Sequence, residues 1–202
     1  MVNFLEQLVA EWYEFNGYFV RRNVRVGRRK RGGWESELDI VAFHPSKKHL
    51  VHIEPSSDAD SWDTRNERYS RKFAAGRRHI PALFAGLTLP SKIQQIAIFI
   101  FGAKERRTLA GGKIVMVADL MQEIRSKLLK YPVLSKAVPE QYTILRSLQF
   151  AADYWKREDA ESWQQRHVVP LTIPNNPSAL SMVPKKPKPM KQKRVRNRPL
   201  KK

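Results

Sequence analysis

The chain reads as an α/β protein with a mixed central β-sheet between helices, and three observations predict it. Apolar or alternating runs of strand length take turns with segments of helical period. Residues 36–43 and 49–54 both alternate and are separated by Pro45-Ser46-Lys47-Lys48, a loop of turn composition, so they form a hairpin. Residues 93–101 are nearly all apolar, as in a strand covered on both faces. With 202 residues, 42% of them hydrophobic, and five Trp, the chain supports one cored domain, 1–167, and an appendage, 168–202.

Asn3 opens the first helix, Phe4, Leu8, Trp12 and Phe15 form its apolar side, and Gly17 closes it. Residues 18–26 follow as a strand. Gly27-Arg28-Arg29-Lys30-Arg31-Gly32-Gly33 is a mobile basic loop, which either fits closely against a phosphate backbone or is a solvated turn. After the hairpin, residues 56–60 lead into a basic helix over 62–76 carrying Arg65, Arg68, Arg71 and Lys72. Asp58 and Asp60 are either acids that complement the helix dipole or extra oxygen ligands near Glu54. Arg77, Arg78 and His79 continue the cationic face, and Ile80-Pro81 begin another helix to Gly86. Residues 113–118 make a second buried strand, reached through the basic loop 102–107. Asp119 with Gln122 caps a helix to about Lys130, with Leu120, Ile124 and Leu128 inward. Pro139 starts a last helix to about Lys156, burying Ile144, Leu148, Ala151 and Trp155. From Val168 onward prolines accumulate and residues 185–196 cannot build a core, so 168–202 reads as a disordered basic tail.

The hairpin carries the most informative pair of residues. Pairing 44 with 49 aligns 43 with 50, 41 with 52 and 39 with 54, which sets Asp39 and Glu54 opposite each other. Opposed Cβ atoms lie about 4.5 to 5.5 Å apart, where two carboxylates repel unless a cation intervenes. Two oxygen ligands on neighbouring strands suit a hard ion such as Mg2+. Two solvated acids on an edge hairpin are the alternative. Asn3 and Glu6 have the spacing of a capping box, which accounts for Glu6 structurally.

An N-terminal amphipathic helix with an early Glu is followed by a strand, then Glu37-Leu38-Asp39-Ile40-Val41-Ala42, then Val51-His52-Ile53-Glu54-Pro55-Ser56, then a basic helix. This order resembles the PD-(D/E)XK nuclease superfamily over roughly residues 3–130. Its restriction-endonuclease-like fold also houses Holliday-junction resolvases and transposon end-cutting subunits. The resemblance implies that Asp39, Glu54 and the carbonyl of Pro55 bind Mg2+ or Mn2+, and that Glu6 adds a water-mediated ligand. The family's lysine, expected two residues after the second acid, is Ser56 here. In some members the following helix supplies that amine, and Lys72 is then the catalytic candidate. It flanks the face made by Trp62, Asn66, Tyr69 and Phe73 and can run its stem along apolar surface toward the sheet, or it is a solvated surface residue.

Charge points to the partner. The formal net charge is +19; residues 168–202 hold ten Lys or Arg and no acid, which leaves 28 basic against 19 acidic side chains, or +9, in residues 1–167. Such an excess favours a polyanion, because each neutralised phosphate releases counterions. Nucleic acid is therefore expected along Arg28, Arg29, Lys30, Arg31, Arg65, Arg68, Arg71, Arg77 and Arg78, and the resemblance favours DNA. No membrane partner is expected, since no amphipathic basic helix with a large apolar face stands out and no apolar run approaches the roughly 18 residues of a span. The absence of a signal peptide and of cysteines points to a cytoplasmic protein without disulfides or thiolate chemistry. The five histidines have no zinc spacing, and His52, which shares a strand face with Glu54, reads as a bystander. No phosphate-binding glycine loop or serine nucleophile elbow occurs.

The expected function is a metal-dependent endonuclease that hydrolyses DNA phosphodiester bonds. The alternatives are a catalytically decayed nucleic-acid-binding protein on the same scaffold, or a partner-dependent subunit of a mobile-element or defence assembly. Homodimerisation is open, since nucleases of this fold often pair to cut both strands.

Overall fold

The structure, a computed structural model, describes residues 3–102 and 105–158, the side chains of 155–158 excepted. The predicted tail, the burial of Trp155 and the placement of Lys104 lie outside the described residues. Asn3 accepts the Leu5 N–H at 3.0 Å and starts α1, Phe4–Phe15. Leu5, Leu8, Val9 and Trp12 form its buried stripe, so Phe4, expected inward, is exposed. There follow β1 (Phe19–Arg28), β2 (Trp34–His44), β3 (His49–Ser56), α2 (Trp62–Leu83), β4 (Ile93–Phe99), β5 (Thr108–Leu109), β6 (Gly112–Met116), α3 (Val117–Leu128) and α4 (Thr143–Glu158).

These strands form one six-stranded sheet in the order β1-β2-β3-β4-β6-β5. The β1-β2-β3 meander is antiparallel, β4 and β6 join it in parallel, and β5 turns back antiparallel on β6. One face carries Ile40, Val51, Ile53, Ile96 and Ile98 and is covered by apolar side chains of α1, α3 and α4. The other face is covered by α2, whose Tyr69 and Phe73 pack on Ala97 and Phe99 and whose Ala75 and Ile80 pack on Val41, Phe43 and Leu50. Burying a large apolar side chain in this way contributes about 1.5–3 kcal/mol. Glu11 of α1 accepts the Leu145 N–H at 2.8 Å, so the free amide end of α4 is capped from the opposite end of the chain.

Three boundaries differ from expectation. One helix, not two, spans residues 62–83: Pro81 lies in the last turn of α2, where its missing N–H costs a single hydrogen bond. The strand of residues 113–118 stops at Met116 and α3 begins at once, so Asp119 sits inside the first turn rather than capping it. The last helix starts at Thr143 instead of Pro139, and its buried line is Leu145, Gln149 and Ala152, with Ile144, Leu148 and Ala151 half-buried beside it. Gln149 is tolerated there because its amide donates to the carbonyls of Tyr131 and Pro132 at 3.0 and 3.3 Å.

Candidate active site

The hairpin adopts the expected register, with His44 opposite His49, Phe43 opposite Leu50, Val41 opposite His52 and Ile40 opposite Ile53. Ile40 and Ile53 are the last pair, so Asp39 and Glu54 lie just where the two strands stop pairing. There the Asp39 N–H donates to Glu54 Oε1 at 3.3 Å instead of to a backbone carbonyl. On the other side of β2 the ladder passes from Arg22–Ile40 to Val24–Leu38 and skips Asn23 and Asp39. Asn23 has φ 52°, in the left-handed region that Asn tolerates better than most residues. Asp39 thus has no ladder partner on either side, while its carboxylate shares the α2 face of the sheet with Glu54.

Lys72 reaches this point from α2. Its Nζ donates to Asp39 Oδ1 at 2.8 Å and to Glu54 Oε2. Glu54 is 1% exposed, Asp39 16% and Lys72 27%, so the acids are withdrawn from water while the ammonium keeps an open side. A cavity of about 210 Å³ lies there, lined by Pro55, Ser56, Asp58, Arg68, Tyr69 and Lys72. Burial and the adjoining Glu54 carboxylate push the Asp39 pKa up to about 7, against the lowering effect of Lys72. Burial by itself would lower the pKa of Lys72, but the charges of Glu54 and Asp39 outweigh it and raise it. One ammonium shared by two carboxylates leaves the group short of one positive charge.

That shortfall bears on the expected ion. Asp39 and Glu54 are hard oxygen donors on one face, and the raised proton affinity of Asp39 marks a place where a further cation relieves repulsion. Among the described residues no cluster of three or more His, Asp or Glu side chains has ligand geometry. An ion held at this place would take the two carboxylates and complete its shell with water or substrate oxygens.

The remaining predicted residues divide. Glu6 sits on α1, packed on the opposite face, and makes no hydrogen bond to the Asn3 amide, so the capping box is not formed. Burial first, then the charge of Asp39, raise its pKa, which puts it within the field of the acid pair. Arg65, expected on the outer surface, is 3% exposed. Its guanidinium donates to Asp58 Oδ1 at 3.2 Å, to the Asp58 carbonyl at 2.6 Å and to the Phe101 carbonyl at 3.0 Å, and it stacks on Trp62 and Phe99. It is a structural strut rather than a phosphate contact. Arg68 is half-buried and paired with Asp58 and Asp60, so those two acids neutralise arginines instead of joining Glu54. Arg71 is 74% exposed. Arg78 pairs with Glu35 at 2.6 Å, and Arg77 donates to the amide oxygen of Gln95. Arg28, Arg29, Lys30 and Arg31 are exposed at the tip of the β1–β2 hairpin.

No family model matches the chain, and no curated protein matches it. Among solved structures, a crystal structure described as a protein of unknown function, AF1548, aligns over 77% of this chain and 98% of its own, at 14% identity and a TM-score of 0.40. Likeness at that level supports no statement about fold or activity.

His52, read from the sequence as a bystander, belongs to the site. It is wholly buried, and its Nε2 lies 2.7 Å from Glu54 Oε1. Burial, then the charge of Lys72, push its pKa down to about 3, so at neutral pH the ring is uncharged. The available signal was its position two residues before Glu54, hence on the same strand face.

Proposed function

We propose that this chain is a Mg2+- or Mn2+-dependent phosphodiesterase that cuts DNA, built on a restriction-endonuclease-like fold. The observation that carries the reading is the Lys72 ammonium held between Asp39 and Glu54 at the point where β2 and β3 part. It supports the reading because α2 brings an ammonium to the acids where Ser56 supplies none. The six-stranded mixed sheet with helices on both faces is compatible with such a fold.

In this reading Asp39, Glu54 and the Pro55 carbonyl hold the ion. When bound, the ion supplies Lewis acidity: a lower pKa for an attacking water and relief of charge on the phosphate. Lys72 has three ammonium protons, two of them engaged by the acids, and the third serves a water or a non-bridging phosphate oxygen. Glu6 orients a water near the acids. Arg28 to Arg31 bind the backbone of the duplex, and Arg71 extends that surface.

The test is nicking of supercoiled plasmid by the full chain in Mg2+ or Mn2+. Wild type should nick, and Asp39→Ala, Glu54→Ala and Lys72→Met should each lose cleavage by at least about a hundredfold, as expected for removal of groups that act on the reacting phosphate. All should keep salt-dependent binding. Wild type that binds DNA but never cuts it, with or without added divalent ions, would instead favour a binding module on a decayed scaffold.

A further inference from the structure

Behind the acid pair a line of hydrogen bonds crosses the α2 face of the sheet, from Arg77 through Gln95 and His52 to Glu54. Its polarity is fixed from both ends. A guanidinium can only donate, so the Gln95 oxygen must be the atom facing Arg77. A carbonyl can only accept, so the Gln95 amide nitrogen must face Phe73, whose carbonyl lies 2.8 Å away. That same nitrogen lies 3.3 Å from His52 Nδ1, so Nδ1 is an acceptor. The ring proton then sits on Nε2 and is donated to Glu54 Oε1 at 2.7 Å.

We infer that His52 is a positioning residue: locked by Gln95 as the Nε2–H tautomer, it holds Glu54 so that Oε2 alone is presented to Lys72 and to an incoming cation. Glu54 Oε1 is already occupied by the His52 N–H and the Asp39 amide. The ring has no room to turn away. It packs edge-on against Phe73, and a Cβ on Gly76 of α2 would come within 2.3 Å of His52 Nδ1. A glycine at that point in α2 lets the helix backbone close over the imidazole. Partners of this kind behind a ligand typically change metal affinity or activity by roughly ten- to a hundredfold when removed.

The role of His52 toward a cation rests on the phosphodiesterase reading, whereas the tautomer does not. The experiment therefore has two arms on the full chain. In the first, Mn2+ is titrated calorimetrically into wild type, His52→Leu, His52→Gln and Asp39→Ala. His52→Leu should weaken binding by roughly ten- to a hundredfold, and His52→Gln, whose amide can donate from the position of Nε2, should recover most of it. Equal Mn2+ affinity in wild type and His52→Leu overturns the positioning role, as does failure of His52→Gln to improve on His52→Leu when both melt like wild type. In the second arm, imidazole nitrogen NMR reads the tautomer of His52 in wild type and in Gln95→Leu. An Nε2–H ring in wild type, with Nδ1 unprotonated and shifted in Gln95→Leu, supports the relay, and an Nδ1–H ring overturns it. Should wild type bind no Mn2+ at all, the phosphodiesterase reading fails and the NMR arm still decides the relay.

Discussion

Replacing Asp39 by Asn should change the way stability depends on pH, in a direction set by the site. Burial and the Glu54 charge hold the Asp39 pKa at about 7 in the folded chain, whereas an unfolded chain gives about 3.9. Between those values the folded state binds more protons than the unfolded one, so the free energy of unfolding falls as pH rises. The cost is absent below about pH 3, where Asp39 is protonated in both states, and is complete above about pH 8, where it amounts to roughly 4 kcal/mol. More than half of it develops between pH 5 and pH 8. His52, with its pKa lowered to about 3, works in the opposite direction below pH 6.5; loss of the Asp39 charge only lowers it further, so from pH 5 upward the folded ring is neutral in both proteins and its contribution cancels. Urea unfolding of wild type and Asp39→Asn in EDTA should therefore show the variant gaining roughly 2–3 kcal/mol on wild type from pH 5 to pH 8. A difference between the two proteins that stays constant within about 0.5 kcal/mol across that range would refute the picture of a buried acid pair short of positive charge.

Other perturbations follow from the same geometry. Arg65→Met should cost about 1–3 kcal/mol in chemical denaturation, because it leaves the Asp58 and Phe101 carbonyls without their donor while Arg68 still pairs with the Asp58 carboxylate, whereas Arg71→Ala at the surface should stay within about 0.5 kcal/mol of wild type. Gly76→Ala should destabilise by about 1–3 kcal/mol, even though Ala favours helix by about 1 kcal/mol, since the added methyl meets His52 at 2.3 Å. A melting temperature equal to wild type would show that the ring can give way. Changing Arg28, Arg29, Lys30 and Arg31 together to Ser should weaken duplex binding and flatten its dependence on log salt by up to about 3.6, at about 0.9 per lost phosphate contact. An unchanged slope would remove the loop from the interface.

Where a local rule governs the residue, the sequence was a reliable guide. The hairpin register followed from alternation on both sides of a turn, since a slip by one residue would have turned Val41, Phe43 and Leu50 out of the core. Helical phase placed Lys72 beside the sheet-facing side of its helix but left open whether the ammonium turned inward or to solvent. What resisted reading depends on contacts between distant segments. Arg65 looks like its basic neighbours, and only Asp58 and the Phe101 carbonyl, brought in by folding, make its burial affordable. Gln149 hid the phase of α4 because its partners, the Tyr131 and Pro132 carbonyls, belong to the preceding loop. His52 was discounted for a similar reason: its role depends on Gln95, 43 residues away.

The gap in pairing at Asp39 has a mechanical consequence. Beyond it, residues 24–28 and 34–38 form an arm bonded to each other but not to β3. Glu35 fastens that arm to Arg78 and His79 of α2, the same helix that delivers Lys72. A pull on the arginine-bearing tip is therefore transmitted along two routes, through the main chain of one acid and through the helix holding its counter-charge. Load at the hairpin end and the spacing of the charged trio are thereby linked as a lever is to its fulcrum.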